Sequence, residues 1–185
     1  AICDPDKEAL RIQGERFGVP ENRRYTDWHD LLDLEGLTEI VVATPDQLHR
    51  DISLAFLAKG IHVMCEKPMA INSAEAKKML DAAKRSGKKL SIGYQNRQTP
   101  HALYLKKEAE DGTFGDIYFG KATAIRRRGV PTWGVFLNEY EQGGGPLIDI
   151  GTHALDLTLW VMNNYKPKYC VGTAYHKLNS LAPEN

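Results

Sequence analysis

Residues 40–68 read IVVATPDQLHRDISLAFLAKGIHVMCEKP, and this stretch decides the fold. Ile40-Val41-Val42-Ala43 is an unbroken apolar run stopped by Thr44-Pro45, the pattern of a strand buried on both faces. From Gln47 to Lys59 apolar residues recur at helical spacing, and Gly60 supplies the stop. Ile61-His62-Val63-Met64-Cys65 is a second buried strand, closed by Glu66-Lys67-Pro68. A strand, a helix and another strand without alternation imply a parallel, doubly wound sheet of the Rossmann type.

The same grammar extends in both directions. Upstream, Ala1-Ile2-Cys3-Asp4 reads as the tail of a strand, and Asp4-Pro5 opens a helix with Pro at its first position. Thr26-Asp27 before Trp28, Leu31 and Leu32 reads as an N-cap. Downstream, Ser73 is the expected cap of a helix running to Ser86, with Gly87 as its stop. Leu90 to Tyr94 closes the series. Beyond about Gln95 the pattern changes. Pro100 to Asp111 reads as a helix. Asp116 to Arg128 alternates like a long strand with one wet face. A Gly/Pro/Trp loop spans 129–145, an apolar helix covers about Ile148 to Met162, and Lys168 to His176 resembles another strand. The expectation is a partial dinucleotide-binding domain over 1–97 and, over 98–185, part of an α+β domain with a largely antiparallel sheet.

Composition narrows the function. The chain has 185 residues, with 24 basic and 24 acidic side chains, and is 42% hydrophobic. That is ordinary globular composition. Zero net charge argues against a general nucleic-acid or anionic-membrane binder. No apolar stretch approaches the roughly 20 residues that cross a bilayer. Three cysteines without CxxC spacing read as buried free thiols in a reducing, cytoplasmic compartment.

Several residues stand where ligands of such sheets bind, beyond the carboxyl ends of strands. Asp4 is placed either to accept hydrogen bonds from a ribose hydroxyl pair or to cap the following helix. In the first role its charge repels a 2′-phosphate and favours NAD over NADP. Lys67 could polarise a substrate hydroxyl, because an ammonium stabilises a developing alkoxide. Glu66 beside it could serve as an ion-pair partner, or the two could be a simple surface pair. Asp149 and His153 lie four apart on one expected helix face. Histidine accepts protons near neutral pH, and a carboxylate neighbour would orient it and raise its proton affinity. A metal site lacks a third ligand at matching spacing. Tyr94, Gln95, Asn96 and Arg97 follow a strand end. His49 either starts a helix or contacts a cofactor. Arg126-Arg127-Arg128 reads as a solvated strand edge, and Trp133 either stacks on a sugar ring or fills an interface. Gly143-Gly144-Gly145 lacks the phosphate-loop pattern.

Taken together, Asp4, Thr44-Pro45 with His49, Cys65-Glu66-Lys67-Pro68, Gly93-Tyr94-Gln95-Asn96-Arg97 and GGGPLIDIGTHALDLTLW (143–160) resemble the glucose–fructose oxidoreductase / inositol dehydrogenase / MocA (Gfo/Idh/MocA) family. The resemblance implies an NAD(P)-dependent oxidoreductase acting on a sugar or polyol, homo-oligomeric when whole. In it Lys67, Asp149 and His153 would be catalytic, with His153 taking the hydroxyl proton. Asp4, Thr44, Pro45, His49, Glu66 and Lys67 would contact the cofactor. Lys67, Tyr94, Asn96, Arg97, Trp133, Asp149 and His153 would face the substrate. The family's first strand and GxGxxG turn would precede Ala1, so a gap in the sheet is expected. Two other functions fit the same motifs: an NAD-dependent glycosidase and a non-catalytic cofactor-binding regulator.

Overall fold

The computed structural model describes residues 1–125, 129–132, 134, 136–138 and 144–175. Its strands are short and parallel where their register is set. Strand β1 (Ile2–Cys3) pairs with β2 (Arg24–Tyr25). Strand β3 (Glu39–Val42) pairs in parallel with β4 (His62–Cys65), and β5 (Leu90–Ile92) lies on the other side of β4. The strands therefore form two sheets, β1-β2 and β3-β4-β5, with an interruption of the kind expected. Helix α1 (Lys7–Arg16) follows β1, α2 (His49–Ala58) connects β3 to β4, and α3 (Ser73–Ser86) connects β4 to β5. The alternation read from residues 40–68 is the Rossmann-like order observed.

The core of this unit lies on one side of β3 and β4. Val42, Val63 and Cys65 are buried there with Phe56 and Leu57 of α2 and Met79 of α3. The opposite face is open: the register partners Val41 and Met64 are 63% and 43% exposed. The expectation of strands buried on both faces is thus corrected. Alternate residues of a strand point to opposite faces, and α2 meets only the face that carries Val42 and Cys65.

Local details also shift. Asp6, not Pro5, begins the first helix: its carboxylate accepts from the backbone of Glu8 and Ala9, so Pro5 lies ahead of the cap. Asn72, not Ser73, caps α3, its Oδ1 accepting from Glu75 N at 2.9 Å. Asn72→Ala is expected to lower stability by about 1 kcal/mol, read as a shift in denaturant midpoint. Cys65 is buried and Cys3 partly so, but Cys170 is exposed, contrary to the expectation of three buried thiols.

Contacts divide the chain into two units, and the loops after β3 and β4 group with the second. That unit holds Thr44–Gln47, Glu66–Ile71 and Ile92–Asn185. It contains a tight turn at Gln95–Gln98 and helix α4 (Pro100–Glu110), capped by Thr99. A wide π-helical turn, Leu147–Gly151, then runs into α5 (Thr152–Met162). The predicted single helix is therefore wound in two ways. Gly144 and Gly145 precede it with φ of 151° and 65°, which turns the chain sharply into Pro146.

The strands expected over 116–128 and 168–176 form no ladder among the described residues. Alternation gives a strand its two faces, but pairing needs a neighbouring backbone, and no partner stands beside Asp116–Ile125 or Lys168–Tyr175 among those residues. Arg126 to Arg128, Trp133 and Gly143 lie outside the described residues. No described helix is long and apolar enough to cross a membrane.

Candidate active site

Lys67 emerges from the end of β4 and reaches across 82 residues of sequence to the π turn. Its Nζ donates to the Asp149 carbonyl at 2.9 Å and to Asp149 Oδ1 at 3.0 Å. The two side chains are 19% and 22% exposed. An ammonium has three N–H groups, so one remains to meet another oxygen. The Lys67–Pro68 peptide is cis.

His153 sits in the first turn of α5 and is 8% exposed. Its Nδ1 is buried and has no hydrogen-bond partner among the described residues. The sequence suggested that Asp149 would orient this ring, yet Asp149 spends its carboxylate on Lys67. Burial and then the Lys67 charge push the imidazole below its ordinary pKa of 6.5, outweighing the opposing pull of Asp149, Glu66 and Asp156. The expected rise in proton affinity is thereby reversed. The ring is neutral at neutral pH and ready to accept a proton.

Tyr94 supplies one wall. Its ring stands edge-on to His153, with centroids 6.1 Å apart and planes at 83°. The Tyr94 hydroxyl lies 3.0 Å from Thr152 Oγ1. Glu66 is held close by: its Oε2 accepts from Lys67 N at 3.2 Å, and its carboxylate rests against the bare Cα of Gly93. A Cβ on Gly93 would stand 2.8 Å from Glu66 Oε2, closer than real contacts allow. Asn96 and His153 both border an open groove of about 850 Å³ walled by Leu105, Phe119, Leu157 and Val161.

The remaining candidates are placed as follows. Arg97 turns its guanidinium toward Asp156. Thr44 and Pro45 belong to the loop after β3. His49 opens α2 and is fully buried, the placement of a helix-start residue. Asp4 accepts from Asp6 N at 2.8 Å, and the charges of Asp27, Asp4 and Asp30 add to burial in pushing the Cys3 thiol up. Sequence reasoning missed Thr152 as the partner of Tyr94, and it missed Arg97 as the partner of Asp156. The one available signal was Asp156 itself, three residues beyond His153 on an apolar helix. Among the described residues no group of three His, Cys, Asp or Glu side chains is placed to hold a metal.

Comparison with known proteins accords with this geometry. The chain is 38% identical over 163 residues to a D-glucoside 3-dehydrogenase of Escherichia coli, a match covering 88% of this chain and 46% of that protein. Among solved structures, an aldose-aldose oxidoreductase from Caulobacter crescentus, complexed with glycerol, aligns with a TM-score of 0.73 at 32% identity, over 88% of this chain and 49% of that one. The WlbA dehydrogenase of Bordetella pertussis, in complex with NADH and UDP-GlcNAcA, gives a TM-score of 0.78 at 30% identity, over 86% and 46%. The chain spans about half the length of the curated relatives it matches. Residues 102–179 match the GFO/IDH/MocA C-terminal domain. Residues 1–94 match the oxidoreductase family with an NAD-binding Rossmann fold, and the chain belongs to that Gfo/Idh/MocA family.

Proposed function

We propose that the whole protein is an NAD-dependent dehydrogenase of a sugar or polyol hydroxyl, with His153 as the general base. The observation that carries this reading is the buried, partnerless Nδ1 of a neutral His153 beside the Lys67–Asp149 pair. An unsatisfied buried polar atom is costly unless a ligand uses its site. His153 takes the proton of the reacting hydroxyl. Lys67 offers its remaining N–H to the same oxygen and stabilises the alkoxide as charge develops. Asp149 fixes the ammonium through two acceptors and keeps that third donor aimed. When bound, the nicotinamide supplies the hydride acceptor.

The residues fit that cofactor. Glu66 and Lys67 lie past the end of β4, where dinucleotides bind in such sheets, and Gly93 leaves room for the Glu66 carboxylate. The carboxylates of Asp4, Asp27 and Asp30 make the end of β1 negative, which disfavours a 2′-phosphate and supports NAD over NADP. The D-glucoside 3-dehydrogenase of E. coli and the myo-inositol 2-dehydrogenase of Thermotoga maritima suggest glucosides and inositols as the first substrates to try.

The test is NADH formation by the whole protein with NAD and a panel of glucosides, inositols and free sugars, with Lys67→Ala and His153→Ala in parallel. Reduction with one substrate, lost in both variants, is the expected result. Cleavage of a chromogenic glycoside without net NADH would overturn it in favour of a hydrolase, and an unaffected His153→Ala would remove the assigned base.

A further inference from the structure

We propose that Arg97 and Asp156 form a positioning clamp for His153, a forked ion pair held between two aromatic rings that keeps the charge behind the imidazole neutral. This rests on the reading of His153 as the base and adds residues that do not themselves touch the reacting atoms. Arg97 Nε donates to Asp156 Oδ2 at 2.8 Å, and Nη2 donates to Oδ1. The guanidinium lies 5.8 Å from the Tyr94 ring centroid and 5.5 Å from that of Trp160. The side chain of Asp156 is 11% exposed. A fork on a carboxylate, stacked on aromatic faces, is a geometry that lysine cannot reproduce.

The clamp joins the Gln95–Gln98 turn to α5. Its Tyr94 side is the wall that stands edge-on to His153, and its Asp156 side is three residues beyond His153 on the same helix. The other charged or titratable groups around the imidazole are Lys67 and Glu66 from the loop after β4, and Asp149 from the π turn. From α4, Lys106 donates to the Trp160 carbonyl and pairs with Glu110, which commits it to the far end of α5. A lone Asp156 carboxylate would draw a proton onto His153. A lone Arg97 would repel it. Bound together they leave burial and Lys67 to set the ring neutral.

The test reads His153 directly, by NMR titration of histidine-labelled whole protein, with the resonance assigned through His153→Gln. In Arg97→Met the His153 proton affinity should rise about threefold or more. In Asp156→Asn it should fall by a similar factor, and the double variant should return to near the parent value. Arg97→Lys keeps the charge and loses the fork, so its titration should stay within about twofold while turnover falls. Shifts in the same direction in the two charge variants, or none in either, would overturn the clamp. If Arg97→Met does not fold, Asp156→Asn and Arg97→Lys decide by the same criteria. No activity enters the titration, so the clamp and the assignment of His153 as base fail separately.

Discussion

Replacing His153 with alanine is expected to lower turnover of the whole protein by about 10²–10⁴-fold, the usual worth of a positioned acid–base group. The pH dependence should carry the signature of its surroundings. The base works when neutral, so turnover rises with pH through its pKa. That pKa lies below the ordinary 6.5 because burial and Lys67 lower it. Activity should therefore persist at about pH 6, where an ordinary histidine is mostly protonated.

The same shift appears in stability. Below the unfolded pKa the unfolded chain binds a proton that the folded state refuses. The contribution is full above that pKa and is lost as pH falls through the folded value. His153→Gln should then show a smaller loss of Tm than the parent between about pH 7.5 and 5.5. A parent Tm that falls no more than that of the variant would contradict the lowered pKa.

The second large effect concerns the scaffold. Phe56 is fully buried in α2, packed with Leu57, Met79 and Val42, and its ring lies 6.1 Å from that of Trp28. Phe56→Ala removes a whole aromatic side chain from a close-packed site and should cost about 3–5 kcal/mol. Denaturant unfolding measures it, and a loss below about 1 kcal/mol would mean that the core collapses to fill the space. The consequence reaches chemistry, because α2 packs on β3 and β4 and Lys67 sits just past the end of β4. Activity of the variant should fail at a lower temperature than that of the parent.

Much of this was legible in the residues. Ile40–Ala43 and Ile61–Cys65 announced parallel strands because their apolar runs do not alternate. Lys67, Asp149 and His153 were visible as the costly polar residues among apolar neighbours. Their pairing was not. Spacing within a helix pointed Asp149 at His153, whereas the acceptor geometry that Lys67 meets depends on a contact 82 residues distant. Arg97 looked free for a substrate because its partner lies 59 residues away. The open face at Val41 and Met64 was hidden for a related reason. An apolar residue in a strand says that a face can be covered, and only packing shows whether it is.

The wide turn at Leu147–Gly151 has a consequence for how this segment tolerates change. A π turn accommodates one more residue than an α-helical path between the same points. Deleting a single residue within it would let the helix rewind as regular α. Everything downstream would then rotate by about 100° and move by about 1.5 Å along the axis. His153 would swing off the Tyr94 wall, and Asp156 would leave the reach of Arg97, with every side chain of the site still present in the sequence. The turn acts as a phase setting for α5, so point substitutions within 147–151 should be tolerated far better than a one-residue deletion.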